Sequence, residues 1–299
     1  MDGAWPMARR FVLLLAALLL TGVMTLPLMF CFAAAFGVIV VLAKLGSPEM
    51  VGRFALALAI VTPILTFTNL QLRAIQATDS RREAEFGHYF ALRLLTTLVA
   101  LAAIAGVALL ANYRAEVVWA ILLVGLARAV EAISDVFHGF YQQHERLDFV
   151  AVSFMAKGPL SLLLIGGGVA MSGSLVVGLV GLVLSRVLSL LVVELWNAKR
   201  LLSGSANRPD GLAATRRDDW KTLFPCWNWS TMTSIAWRAF PLGVTMLLLS
   251  LNTSIPRFFL ESHFGERELG IFASLAYFIV AGTMIVSALG QAATPRLAK

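Results

Sequence analysis

Charge is scarce in this chain. Only 14% of its 299 residues are Asp, Glu, Lys or Arg, against 59% hydrophobic, and the mean hydropathy is +0.82. Too little polar surface is available to clothe a soluble globule of this length, so that class is excluded. Cysteine is nearly missing: Cys31 and Cys226 form no basis for a disulfide scaffold. No G-x-x-x-x-G-K-[ST] occurs, which excludes ATP hydrolysis through a P-loop in this chain. H-E-x-x-H and G-x-S-x-G are absent too, and His88, His138, His144 and His263 are scattered. No metal site, cofactor or catalytic residue is therefore expected, and the chain does not read as an enzyme. Gly166-Gly167-Gly168 lies inside an apolar run and reads as a helix-packing site, not a phosphate loop.

What remains is a series of long apolar runs. Crossing a bilayer takes roughly 20 mainly apolar residues. About eight runs meet that length: Phe11 to Ala43, Phe54 to Leu72, Phe90 to Ala111, Val117 to Phe140, Phe149 to Met171, Leu175 to Trp196, Ser230 to Phe259 and Leu269 to Thr294. They lack the two-residue alternation of barrel strands, and unpaired backbone is costly in lipid, so helices are expected throughout. The first run exceeds one upright span and reads as a tilted or interfacially extended helix, with Pro27 a bend.

The net charge of +7 follows a pattern. With the N-terminus inside, one face of the membrane receives Arg9, Arg10, Arg73, Arg81, Arg82, Arg146, Lys199, Arg200, Arg208, Arg216, Arg217, Lys221, Arg296 and Lys299. The other receives only Lys44, Arg53, Arg114, Arg257 and Arg267. Positive-inside bias explains this better than nucleic-acid binding does, and gives an N-in, C-in orientation. Loops on the outer side are short, as at Met171-Ser172-Gly173-Ser174, and leave no room for an extracytoplasmic domain.

Two polar breaks repeat one another. Gly46, Glu49, Gly52, Phe54 and Ala55 recur as Gly265, Glu268, Gly270, Phe272 and Ala273, with one residue fewer between the Glu and the second Gly. An even number of spans separates the breaks, so both hairpins cross in the same sense, as expected of a parallel repeat. The organisation expected is a six-span bundle over residues 1–198, then a basic cytoplasmic linker with an interfacial aromatic helix over 199–229. A partial second bundle of two spans follows over 230–299 and reads as cut short. Trp220, Phe224, Trp227 and Trp229 supply the interfacial character of the linker.

Charges inside the spans carry the functional signal, because each is costly in hydrocarbon. Arg93, Arg128, Lys157, Arg186 and Arg238 stand against Glu131 and Asp135, with Glu194 near the end of its span. A cavity lined by these basic groups would favour an anion, and guanidinium suits phosphate oxygens. The competing reading is snorkelling of Arg93 and Arg238 to the headgroups and helix-to-helix contacts for the rest. On the fourth span Arg128, Glu131, Asp135 and His138 fall within an arc of roughly 80°. That stripe is either an ion-pair network between helices or a cavity wall able to respond to protons.

Several stretches resemble the O-antigen (lipid-linked oligosaccharide) flippases of the multidrug/oligosaccharidyl-lipid/polysaccharide superfamily. They include Ala43-Lys44-Leu45-Gly46 with Gly52-Arg53-Phe54-Ala55, Asn69-Leu70-Gln71-Leu72-Arg73, Leu92-Arg93, and Gly139-Phe140-Tyr141-Gln142-Gln143 with Arg146. Ile255-Pro256-Arg257 and the stretch from Leu269-Gly270-Ile271-Phe272-Ala273 through Leu289-Gly290-Gln291-Ala292 to Pro295-Arg296-Leu297 are also similar. The likeness is diffuse and runs along nearly the whole chain. It implies a MATE-like fold of two related bundles and translocation of an undecaprenyl-pyrophosphate-linked oligosaccharide across the bacterial inner membrane. Its partners would be that anionic lipid, membrane lipids and other polysaccharide-assembly proteins, with no nucleic acid. The basic residues within the spans would hold the pyrophosphate. Rival readings are a drug or ion antiporter of the same fold, a membrane-embedded enzyme of polysaccharide assembly and a non-transporting scaffold. Drug exporters of this superfamily tend to carry acidic residues in the first span, and Phe11 to Ala43 holds no charge.

Overall fold

The computed structural model describes residue 34 and residues 36–79, 84–144, 146–205 and 223–297, with side chains described as far as residue 279. Among the described residues every regular element is a helix. After α1 (Phe36–Leu45), the order is α2 (Pro48–Thr68), α3 (Leu72–Thr78), α4 (Phe86–Leu110), α5 (Ala115–Gln143) and α6 (Leu147–Ser172). Then come α7 (Leu175–Leu188), a π-helical turn (Ser189–Glu194), α8 (Leu195–Ser205) and α9 (Trp229–Leu297). Among the described residues, six helical stretches are long and apolar enough to cross a membrane, the last of them Trp229–Tyr277. The first expected span falls mainly outside the described residues.

Local chemistry accounts for the boundaries. Ser47 caps α2 by accepting the Met50 N–H at 3.4 Å, and Pro48 occupies the first turn, where its missing N–H costs nothing. Leu70 and Gln71 adopt left-handed backbone (φ 49° and 50°), which stops α2 and redirects the chain into α3. Gly173, with φ 62°, ends α6 as a left-handed cap. Gly265, with φ 86° and ψ −179°, divides α9 into arms over residues 229–264 and 266–297, which correspond to the expected seventh and eighth spans. The sixth span continues through α8 to Ser205, so residues 199–205 extend the bundle. The described part of the aromatic segment has no regular structure over 225–228 and is pinned by the Cys226 N–H donating to Gly87 O at 3.0 Å.

Small residues set the closest helix contacts, as expected where lipid removes any hydrophobic drive for association. A Cβ on Gly181 would lie 2.3 Å from Leu164 O, and one on Gly168 would lie 3.0 Å from the Gly178 Cα. Gly168 is thus a packing residue of the α6–α7 contact.

The most intimate contact joins the two repeats. A Cβ on Gly52 would sit 1.8 Å from Glu266 O, and one on Gly270 would sit 2.0 Å from Pro48 O. Each glycine receives the carbonyl four residues before the other, so α2 and the second arm of α9 cross reciprocally about a pseudo-twofold axis. Arg53 reinforces the crossing from its side by bonding Glu266 at 2.7 Å and pairing with Glu116, while Arg267 lies 3.8 Å from Glu49. Ser47 and Gly265 each stand five residues before their crossing glycine. The structural register therefore equates Gly265 with Ser47, one residue from the Gly46 equivalence that the motif alone gives.

The bundle has two apolar cores. One surrounds the start of α2 and contains Leu56, Val61, Ile104, Ile121, Ile165, Leu179 and Leu269. The other lies toward the opposite end and contains Leu72, Tyr89, Phe137, Tyr141, Val150 and Met232. Between them the buried residues change character: Arg93, Thr97, Ser134, Ser153, Lys157, Ser161, Ser185 and Ser189 form a polar belt across α4 to the π turn.

Candidate functional site

The belt has an open half and a closed half, both organised by α5. On the open half Arg128 bonds Glu131 at 3.0 Å, one turn apart on the same face. Arg186, from the last turn of α7, approaches the other oxygen of Glu131 at 3.9 Å. The Arg128 side chain is 46% exposed, those of Glu131 and Arg186 22% and 17%. Tyr277 on the second arm of α9 lies within electrostatic range of Arg128. Two guanidinium groups about one carboxylate leave an excess positive charge and several N–H donors uncommitted. Such a surface takes up an oxyanion by charge-assisted hydrogen bonds.

The closed half lies one to two turns further along α5. His138, Lys157 and Glu194 are buried, at 0%, 2% and 0% exposure. Glu194 Oε1 meets Lys157 Nζ at 2.9 Å and His138 Nε2 at 3.0 Å, and also accepts from the Ser153 hydroxyl. The Tyr141 hydroxyl donates to the Glu194 carbonyl at 2.5 Å. That carbonyl closes the π turn, where the wider i→i+5 repeat displaces backbone from the ordinary helical ladder. Asp135 joins the two halves: its Oδ1 is 3.5 Å from His138 Nδ1 and 3.8 Å from Arg73 Nη1, and its side chain is 32% exposed.

The expected site residues thus divide. Arg128, Arg186 and Glu131 come together, and Asp135 and His138 extend the same stripe inward. Lys157 belongs to the closed half and is held in its ion pair. Arg93 is 1% exposed and donates to Asn69 Oδ1 at 2.6 Å, bracing the end of α2 without joining the trio. Arg238 is exposed on the first arm of α9. Ser153 carried no sequence signal of function, and Tyr141 and Arg73 entered only within stretches that resemble the flippases. Glu194 did, as a charge near a span end, but its pairing with Lys157 requires the tertiary fold.

Among the described residues no group of His, Cys, Asp and Glu is arranged to hold a metal ion.

Among the described residues, six membrane-length apolar helical stretches packed about a polar belt define an all-helical multi-pass membrane protein with a MATE-like flippase fold. It comprises a six-helix N-terminal bundle and the first two helices of a second, parallel one. Solved structures agree at the level of the fold. The MATE multidrug transporter DinF-BH matches with a TM-score of 0.62 at 14% identity, covering 92% of this chain and 64% of that one. A MOP superfamily transporter from Pyrococcus furiosus matches at 0.56 with 18% identity over 92% of this chain and 62% of the other. The polysaccharide biosynthesis protein family matches residues 18–299, and the chain belongs to that family. The capsular polysaccharide biosynthesis protein CapF of Staphylococcus aureus is 30% identical over 265 residues, which is 88% of this chain and 61% of CapF. The chain therefore spans about three-fifths of that relative's length.

Proposed function

We propose that the protein moves an undecaprenyl-pyrophosphate-linked oligosaccharide across the bacterial inner membrane, N-terminus and C-terminus inside, by alternating access between its two bundles. Membership of the polysaccharide biosynthesis family supports the cargo class. The observation that carries the reading is the Arg128–Glu131–Arg186 trio, a net positive and partly exposed polar surface set between apolar cores. A pyrophosphate is the part of the cargo that most needs such a surface, because it carries charge through a medium that solvates none. Arg128 and Arg186 make the first contacts in this scheme, while Arg93 and Lys157 are buried in pairings of their own with Asn69 and Glu194.

Loss of one guanidinium from the trio removes a charge-assisted hydrogen bond worth roughly 1.5–3 kcal/mol when desolvated. Exposure of Arg128 puts its effect at the lower end, on the order of tenfold in affinity. In cells that depend on this protein, Arg128→Ala and Arg186→Ala should lower surface polysaccharide while the amount of inserted protein is unchanged. Lys at either position should restore part of the signal, since charge survives but the planar fork does not. Full surface polysaccharide with both positions neutral would remove the support for an anion-holding belt. Activity that instead follows cationic compounds would favour an antiporter of the same fold.

A further inference from the structure

The buried face of the sixth span changes step once. Along α7 buried residues recur at Leu175, Gly178, Leu182, Ser185 and Ser189, the three-to-four spacing of an α-helix face. Beyond it they recur at Glu194, Asn197 and Leu201 with the same spacing. The step from Ser189 to Glu194 is five residues, and it coincides with the π turn over Ser189–Glu194. There the Leu195 N–H donates to Leu190 O, the i→i+5 bond of such a turn. An unbroken α-helix from Ser189 would turn Val192, Val193 and Trp196 toward the bundle and carry Glu194 off that face. Instead Val192 is 63% and Trp196 61% exposed, and Glu194 is buried at 0%.

The additional residue matches α7 to α5. Arg186 meets Glu131 and Glu194 meets His138, so the two helices run side by side in one direction. Glu131 and His138 are seven residues apart, about 20° short of two turns, and share a face. Arg186 and Glu194 are eight apart, which in an uninterrupted α-helix is about 80° beyond two turns. The π turn takes up the difference, so that Arg186 faces Glu131 while Glu194 faces His138 and Lys157.

Contacts from α5 and α6 fasten the end of that turn. Lys157, His138 and the Ser153 hydroxyl all reach Glu194 Oε1, and the Tyr141 hydroxyl donates to the Glu194 carbonyl. Asn197 Nδ2 then donates to Phe149 O at 3.4 Å. On the other side of the turn α7 is fastened where Gly181 packs on the Leu164 backbone. Arg186 lies between the two fastenings. A turn that closed as α-helix would rotate one side against the other by about 100°, and the 3.9 Å approach of Arg186 to Glu131 is a weak contact to oppose it.

We propose that Glu194 is a positioning residue for the anion surface: clamped by Lys157, Ser153 and Tyr141, it holds the π turn and thereby the direction in which Arg186 stands beside Glu131 and Arg128. It acts through Arg186 and touches no anion itself. The matching of the two helices is independent of any cargo, whereas its effect on an anion rests on the pyrophosphate reading above.

The test removes the additional residue. Deletion of the exposed Val192 shortens the Arg186-to-Glu194 interval to seven residues, and the segment should close as ordinary α-helix with both contacts kept. Purified full-length protein and its variants are titrated with inorganic pyrophosphate. The Val192 deletion should bind it as the native chain does. In the native chain, Lys157→Met with Glu194→Gln removes one charge of each sign and should lower affinity by about tenfold, as loss of one guanidinium would. It should add little to the loss caused by Arg186→Ala. In the Val192 deletion the same two substitutions should leave affinity unchanged, because no π turn remains to be held. Equal losses in both backgrounds, or lost binding in a folded Val192 deletion, overturn the proposal. Thermal unfolding in detergent judges the matching of the helices without any anion: the deletion should melt with or above the native chain, and a lower melting point overturns it. That melting order with no pyrophosphate binding by the native chain supports the matching and overturns the link to an anion.

Discussion

Alanine at Gly52 is the smallest perturbation of the contact on which the two repeats turn. The added Cβ would lie 1.8 Å from the carbonyl oxygen of Glu266 and 2.7 Å from its carbon, and both are backbone atoms of a facing helix. No rotamer change relieves that overlap. Restoring ordinary contact at roughly 3.4 Å requires the second arm of α9 to withdraw by about 1.6 Å. Displacement on that scale stretches the 2.7 Å Arg53–Glu266 bond beyond hydrogen-bonding range and loosens Leu269 and Ala273, both buried at 0% exposure. Overpacking of this type costs about 1–3 kcal/mol, and the loss of a charged hydrogen bond adds about 1.5 kcal/mol or more. Gly106 provides an internal control, because nothing lies within 4 Å of its Cβ position near the C-terminal end of α4. Gly106→Ala should be neutral or stabilising by up to about 1 kcal/mol from helix propensity alone. Thermal unfolding in detergent separates the two, and a disulfide between cysteines at Val51 and Leu269 reports the spacing. Gly52→Ala melting alongside Gly106→Ala, with undiminished cross-linking, would refute a backbone-to-backbone crossing.

Three further outcomes follow from named contacts. Lys157→Met strands Glu194 and should destabilise the protein by roughly 3–5 kcal/mol; Lys157→Met with Glu194→Gln should recover much of that, read as denaturation midpoints, and strict additivity would contradict the pairing. Arg53→Ala should cost little through Glu116, whose side chain is 66% exposed, so nearly all of its effect should vanish in a Glu266→Gln background in a double-mutant cycle. Cysteines placed at Ser172 and Ser205 should label from opposite sides of the membrane, with same-side labelling contradicting the orientation.

The spans were legible from hydropathy, but their ends were not: α2 opens at Ser47-Pro48, six residues before the expected start at Phe54, because the cap lies outside the apolar run. The repeat was legible from its glycines, yet its register was not. A motif aligns residue types, whereas the fold aligns the helix start with the crossing, and these differ by one residue at Ser47. The stripe on α5 could be read because one helix carries it at about 3.6 residues per turn. Its continuation could not, since Lys157 and Glu194 belong to other helices and the π turn shifts Glu194 out of the phase that the preceding helix sets. Basic residues count equally in a sequence, which is why Arg93 grouped with Arg128. Only burial separates a guanidinium bound to Asn69 from one left half exposed beside Glu131.

On the proposed reading, the Arg128–Glu131–Arg186 trio holds the pyrophosphate while the oligosaccharide passes from one leaflet to the other. Reconstitution of the protein in liposomes holding a fluorescent undecaprenyl-pyrophosphate oligosaccharide in the inner leaflet measures this directly, through quenching by an impermeant reagent outside. The account predicts transfer with the wild type, and transfer slowed on the order of tenfold or more in Arg128→Ala with Arg186→Ala. Transfer at the same rate in protein-free liposomes, or undiminished transfer in the double variant, would contradict it.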